Sequence, residues 1–168
     1  MQLTSIVLLA SLLFSGLPSH AAATTPISAA RAKTLLPAVA KVTLQRNSTT
    51  GLLDYCARRF VSLKPRSENA RKLWLQRNKA IMTKADSLRD RLWQSLKQQQ
   101  SGLQAETTIL NIEQLVQQNV RKKIHALASY TPVQQRLICQ QLILAVHNGD
   151  WDISHKLSKA YSTLQNFH

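Results

Sequence analysis

Apolar side chains recur every three or four residues along most of the chain, and this period predicts amphipathic α-helices. The clearest case runs from Ser67, which can cap a helix, to about Leu96, and we predict one long helix there. Its apolar stripe consists of Ala70, Trp74, Ile81, Ala85, Leu88, Leu92 and Leu96. A second long helix is predicted from about Glu106 to Ala128, with the same period.

Shorter helices are predicted on either side of these two. One carries Cys56 on its apolar face and ends before Pro65. Another begins at Thr131-Pro132-Val133-Gln134, which offers a capping hydroxyl, a proline at the first helical position and a glutamine at the third, and it ends at Gly149. The last begins at about Ile153. No alternating pattern is long enough to indicate a strand, so we predict an all-α, irregular bundle of about five helices.

Residues 1–23 differ from the rest of the chain. A short apolar run is followed by Gly16 and Pro18 and then by Ala21-Ala22-Ala23, which together are typical of a cleaved secretory signal peptide. The run is much shorter than the roughly 20 residues that a membrane-spanning helix needs. The alternative is a buried N-terminal helix. We therefore expect an exported, periplasmic or secreted protein without a transmembrane segment.

The remainder, residues 24–168, comprises about 145 residues, which fits a single helical domain with a real core. Its first part, residues 24–50, contains Pro37, which ends or kinks helices, and a polar stretch at Asn47 to Gly51 that reads as a loop. We predict that residues 24–50 form a loosely structured N-terminal segment with one or two helical turns.

Cys56 and Cys139 are the two cysteines of the chain. Because an exported chain meets an oxidising environment, an even pair favours a disulfide; the alternative is two separate buried thiols. The two positions are 83 residues apart, and a bridge that closes so long a loop stabilises the fold by roughly 4.5 kcal/mol in the loop-entropy description.

The chain carries 22 Lys and Arg against 8 Asp and Glu, a net charge of +14. Twelve basic and three acidic residues lie between Arg58 and Lys97, so this region alone carries +9. On the predicted long helix several of these bases are seven residues apart and share a side, which indicates a basic face with Trp93 beside it. The candidate partner-binding residues are Arg58, Arg59, Arg71, Lys72, Arg77, Lys79, Lys84, Arg89, Arg91, Trp93 and Lys97.

A basic helix with tryptophans is compatible with nucleic-acid binding, but export and the lack of a zinc-finger or helix-turn-helix pattern argue against it. The anionic partners outside the cytoplasm are an acidic protein or an envelope component such as a lipid or a glycan. The alternative without a binding role is a solvated basic face that only keeps the protein soluble. Our leading hypothesis is a small exported binding protein of the inhibitor, immunity or adaptor type that engages an acidic protein.

One cluster of residues in the sequence is a candidate for metal binding or catalysis. His147, Asp150, Asp152 and His155 surround one turn and are residue types that metals use. However, Asp150 or Asp152 also suits a helix cap, and Gly149 suits a helix stop. We expect a structural role for this cluster, no cofactor and no enzymatic activity; a metal-dependent or hydrolytic enzyme using His147 and His155 is the alternative.

Residues 130–135, Tyr-Thr-Pro-Val-Gln-Gln, form one further motif. They resemble the Leu-Thr-x-x-Gln box of the Spy and CpxP type of small periplasmic proteins. This resemblance covers six residues and implies a helical, exported chaperone or adaptor. Such a protein would present an exposed apolar concavity to many unfolded clients.

Overall fold

The computed structural model describes residues 27–167, which form seven α-helices and one short 3-10 turn, with no strand in that range. The helices are α1 (Ala29–Arg59), α2 (Lys64–Arg77), α3 (Lys79–Gln99), α4 (Gly102–Ala128), α5 (Pro132–Asn148), α6 (Ile153–Lys156) and α7 (Ser158–Gln165), and the 3-10 turn is Val61–Leu63. The predicted all-α class is confirmed. The predicted signal peptide, residues 1–23, lies outside the described residues. None of the helices between 27 and 167 is long and apolar enough to cross a membrane.

Helix α1 lies at the centre of the bundle and packs against α2, α3, α4, α5 and α7. Its buried apolar residues form two groups, one with Leu35, Val39 and Val42 and one with Leu53 and Cys56, and Ser48 and Thr49 are buried between them. Each buried aliphatic side chain of this size contributes about 1.5–3 kcal/mol through removal from water. The central position of α1 therefore follows from burial that continues through its successive turns, apolar at both ends and polar at Ser48 and Thr49.

The prediction of a loosely structured segment over residues 24–50 was wrong from Ala29 onward, because α1 continues through Pro37. A proline inside a helix costs about 3 kcal/mol through a lost hydrogen bond and a clash. Here Pro37 is exposed, while Leu35 and Val39 on either side of it are buried in the same core. Packing on both sides of the proline outweighs the local cost.

The predicted loop at Asn47 to Gly51 is also helical, as part of α1. Thr49 and Thr50 donate their hydroxyl hydrogens to carbonyls of the preceding turn, at 2.8 and 2.9 Å, so the polar side chains are satisfied without breaking the helix. A β-carbon at Gly51 would lie 3.3 Å from Cδ1 of Ile124. The small residues that resemble a loop in the sequence allow α4 to approach α1 closely.

The predicted long helix from Ser67 to Leu96 is two helices, α2 and α3, which separate at Asn78. Helix α2 begins earlier than predicted, at Lys64, and the hydroxyl of Ser67 donates to the carbonyl of Leu53 at 2.7 Å instead of capping. The buried Asn78 amide donates to the Trp74 carbonyl at 2.9 Å and accepts the backbone N–H of Ile153 at 2.8 Å. This side chain thus fixes the α2–α3 junction to the start of α6.

The predicted ends of α5 are confirmed. Thr131 and Gln134 form the complete capping box, Pro132 lies in the first turn, and Gly149 ends the helix in the left-handed conformation at φ 91°. The predicted last helix is divided into α6 and α7 at Leu157. These two divisions account for seven helices where about five were predicted.

The predicted disulfide is confirmed between Cys56 of α1 and Cys139 of α5, with an S–S distance of 2.04 Å. Both residues are fully buried. The bridge therefore joins the central helix to α5 inside the core, and it holds the second half of the chain against the first.

Candidate functional site

Three arginines of the predicted basic face are ion-paired within the protein. Arg71 contacts Asp54 at 3.1 Å. Arg89 contacts Asp86 at 3.2 Å and Asp90 at 3.0 Å. Because these cations are already paired, they contribute less to an external electrostatic field than their number in the sequence suggests.

Arg77, the third of these arginines, has the most contacts. Its guanidinium donates to both carboxylate oxygens of Asp152, at 2.8 and 3.1 Å, and also to the carbonyls of Val146 and His147 at the end of α5. A planar guanidinium suits such a two-pronged contact. Arg77 therefore joins α2 to the α5–α6 turn, which is a structural role.

Three more of the candidates contact groups of their own chain. Arg59 donates to the side-chain oxygen of Gln135 at 3.2 Å, and Lys84 donates to the carbonyl of Gln165 at 3.0 Å. The guanidinium carbon of Arg91 lies 5.6 Å from the centre of the Phe167 ring, within the range of a cation–π contact. Arg91 and Lys84 therefore help to hold the C-terminal residues against α3.

The other basic candidates, Arg58, Lys72, Lys79 and Lys97, are exposed. On α3 the exposed stripe reads Lys79, Thr83, Ser87, Asp90, Gln94 and Lys97, so its two lysines stand at opposite ends with an aspartate between them. The structure places these four cations on the surface but does not concentrate them on α3.

Trp93 is half-buried and lines a groove of about 240 Å³ between α1, α3 and α4. Leu36, Val39 and Val116 supply apolar walls. The two arginines at this groove, Arg46 and Arg89, both contact Asp86, at 2.8 and 3.2 Å. Their charge is thus largely compensated, and the groove has little preference for an anion.

The His147, Asp150, Asp152 and His155 cluster has structural contacts. Asp152 precedes α6 as predicted, but it makes no side-chain capping bond. Its carboxylate instead accepts hydrogen bonds from the side chains of Arg77 and Asn78. Nδ1 of His155 lies 3.1 Å from the carbonyl oxygen of Gly149. Across the described part of the chain, no three histidine, cysteine, aspartate or glutamate side chains are grouped as a metal site would require.

A second groove, of about 540 Å³, lies between the C-terminal half of α4 and α5. Helix α4 packs chiefly on α1, whereas α5 packs chiefly on α2, so a space stays open between the two helices. Its lining is mostly apolar and includes Ala126 and Leu127 of α4, Ile138, Leu142 and Ala145 of α5, and Trp151. We call this space the α4–α5 groove. Its volume is in the range of pockets that bind ligands in other proteins.

Cations surround the α4–α5 groove. Lys123 lines it, and Nζ of Lys156 lies 5.8 Å from the centre of the Trp151 ring. Lys122 is exposed and lies one turn before Ala126, at the edge of the groove, whereas the exposed Arg121 lies on a different side of α4. The segment that forms both walls, residues 114–149, contains four Lys and Arg and no Asp or Glu.

This surface does not stand out in a count of bases along the sequence, because such a count ignores where the nearest carboxylates lie. The signal is visible in the sequence as the long acid-free interval between Glu113 and Asp150. The apolar groove itself was not predictable, since Ile138 and Leu142 fit a core stripe as well as a groove wall.

Comparison of the chain with protein-family models, curated proteins and solved structures gives no match.

Proposed function

We propose that this protein is a small, exported, non-enzymatic binding protein that engages an acidic segment of another protein of the cell envelope. The observation that carries the proposal is the α4–α5 groove, an open apolar surface whose walls carry cations and no carboxylate. An apolar centre with a charged rim is the usual anatomy of a protein-binding site.

The charge distribution supports an acidic partner. Lys123 lines the groove, Lys122 is one turn before Ala126, and Lys156 lies over the ring of Trp151. Arg136 of α5 instead donates to the hydroxyl of Ser62 at 3.1 Å. Complementary charge accelerates encounter with an acidic surface and disfavours basic ones. Arg58, Lys72, Lys79 and Lys97, which are exposed, add to the positive field of the molecule outside the proposed contact.

A second candidate is a chaperone-like function, and one observation favours it. Several large apolar side chains are exposed, notably Leu103 at 78% and Val133 at 71%. A protein that binds unfolded chains needs accessible apolar surface of this kind. The two functions differ in what the protein binds. A binding protein retains one partner in a fixed ratio, whereas a chaperone holds many clients weakly and suppresses their aggregation.

The test is retention of partners from envelope extract on the tagged protein, expressed from its full-length sequence and purified in oxidised form. Elution in rising salt and mass spectrometry identify what is retained, and the mass of the purified protein reports whether residues 1–23 have been removed. We expect one acidic protein in a fixed ratio that stays bound above about 0.15 M salt, where exposed charges more than roughly 8 Å apart are screened.

Two matched charge reversals locate the surface. The double variant Lys122→Glu/Lys156→Glu changes two exposed residues at the edge of the α4–α5 groove, and we expect it to abolish retention. Lys72→Glu/Lys79→Glu makes the same change in net charge on exposed residues elsewhere and is expected to preserve it. Loss of retention in the second variant alone would place the site on the Arg58 to Lys97 region. Release of only lipid, glycan or mixed polyanions at low salt would contradict the proposed function.

A further inference from the structure

We infer that the α4–α5 groove receives one amphipathic α-helix of the acidic partner, with its apolar face in the groove and its carboxylates against the surrounding cations. This inference rests on the proposed function and adds the form of the partner segment. It follows from the length of the groove, its apolar walls and the charge around it.

The length of the groove suits a helix. Its lining runs from Lys123 to Leu127 on α4, includes Tyr130 in the turn after that helix, and runs from Ile138 to Ala145 on α5. At 1.5 Å per residue the α5 wall is about 10 Å long. Anchor side chains at positions i, i+3 or i+4, and i+7 of a bound helix span the same distance, and this is the usual spacing of helix-in-groove recognition.

The apolar surface continues beyond the groove along α5. Val133 and Leu137 precede Gln141, which lines the groove, at intervals of four residues, so the three share one face of the helix. Val133 is 71% exposed and Leu137 is 53% exposed. A bound helix longer than two turns would cover these side chains as well, which accounts for their exposure in the free protein.

Charge determines which kind of helix fits. The walls carry Lys123 within the groove and Lys122 one turn before Ala126, and their segment has no carboxylate that would repel an acidic partner or bind a basic one. An acidic helix is therefore attracted, whereas a basic amphipathic helix meets uncompensated like charge. Residues 1–23 of this chain contain no Asp or Glu, so they do not supply the complementary charge.

The test uses a fluorescent peptide of about 18 residues, above the roughly 12–15 below which isolated helices are marginal. Leucines are placed at i, i+4, i+7 and i+11, and the remaining positions are Glu and Ala. One control has the same composition with the leucines at alternate positions, and another has Lys in place of Glu. Anisotropy titration of the full-length oxidised protein should give at least about ten-fold tighter binding for the helical acidic peptide, a difference of about 1.4 kcal/mol.

Ala126→Glu locates the binding, because it adds a carboxylate to the groove at an exposed helical position. We expect it to weaken peptide binding by at least about ten-fold, an amount that corresponds to about 1.4 kcal/mol. Ala80→Glu, the same substitution at an exposed position of α3, should leave the affinity unchanged. Circular dichroism establishes that both variants fold.

The outcomes separate this inference from the proposed function. Equal binding of the helical and alternating peptides, or unchanged affinity in Ala126→Glu, overturns the helix inference. If an acidic protein is still retained from extract and is released by Lys122→Glu/Lys156→Glu, the proposed function stands without it. If no protein is retained in a fixed ratio, both fail. A dimer of this chain that Ala126→Glu dissociates would identify a second copy as the occupant and would also overturn the inference.

Discussion

Arg77 tests whether the basic residues serve partner binding or internal stability. The sequence predicts that Arg77 binds a partner, whereas the structure shows an internal contact. Its guanidinium bonds to both carboxylate oxygens of Asp152 and to the carbonyls of Val146 and His147. Arg77→Ala removes all four hydrogen bonds and leaves Asp152, whose side chain is only 16% exposed, without its cation.

The expected loss of stability follows from these contacts. A hydrogen bond to a charged group contributes about 1.5–3 kcal/mol. The Arg77 side chain is 33% exposed, so water replaces part of what the substitution removes. We therefore expect a loss of about 2–4 kcal/mol, with a smaller loss for Arg77→Lys, because an ammonium cannot reproduce the two-pronged contact. At roughly 2–4 °C per kcal/mol the melting temperature should fall by about 5–15 °C.

The assay is urea unfolding followed by far-ultraviolet circular dichroism, with binding measured in parallel by retention of the envelope partner. Lys79→Ala is the control, since Lys79 is an exposed base of the same predicted face, and its effect should stay within about 0.5 kcal/mol. The reasoning is refuted if Arg77→Ala unfolds at the same urea concentration as Lys79→Ala. Loss of binding without loss of stability would make Arg77 an interface residue, as the sequence analysis predicted.

Three further predictions concern the core and its turns. Asn78→Ala should cost about 2–3 kcal/mol, since it leaves the buried N–H of Ile153 without an acceptor, whereas Asn69→Ala at an exposed position of α2 should be close to neutral; both are read from urea unfolding. Reduction of the disulfide should lower the free energy of unfolding by up to roughly 4.5 kcal/mol, measured by unfolding with and without dithiothreitol. Gly149→Ala should cost about 1–2 kcal/mol in a thermal melt because its φ of 91° is unfavourable for any residue with a β-carbon.

The parts of the fold that the sequence predicted correctly depend on local signals. Thr131 and Gln134 are three residues apart and cap the same helix, so their roles do not depend on the rest of the chain. Gly149 likewise stops the helix that it follows. The disulfide was predictable although Cys56 and Cys139 are far apart, because the chain has no other cysteine with which either could pair.

The parts that it predicted wrongly depend on contacts between distant segments. Trp74 and Ile81 are seven residues apart, so the apolar period continues unchanged across Asn78, where the helix is divided. What divides it is a hydrogen bond to Ile153, 75 residues away. Similarly, Gly51 looks like a loop residue until α4 is placed 3.3 Å from where its β-carbon would be. Neither contact can be predicted from the residues that surround Asn78 or Gly51 in the sequence.

The candidate site in the structure is the α4–α5 groove and not the Arg58 to Lys97 region that the sequence predicted. The reason is where the few carboxylates lie in the fold. Among the described residues, ion pairs use Asp54, Glu68, Asp86, Asp90 and Asp152. Four of the five bases that they bind belong to the Arg58 to Lys97 region, which is the most basic part of the sequence. Folding therefore compensates part of the densest cluster of bases. The four bases of residues 114–149, a segment with no carboxylate, take part in none of these ion pairs. Apolar side chains are exposed beside these cations. This combination is the reason why the proposed partner segment is both acidic and apolar.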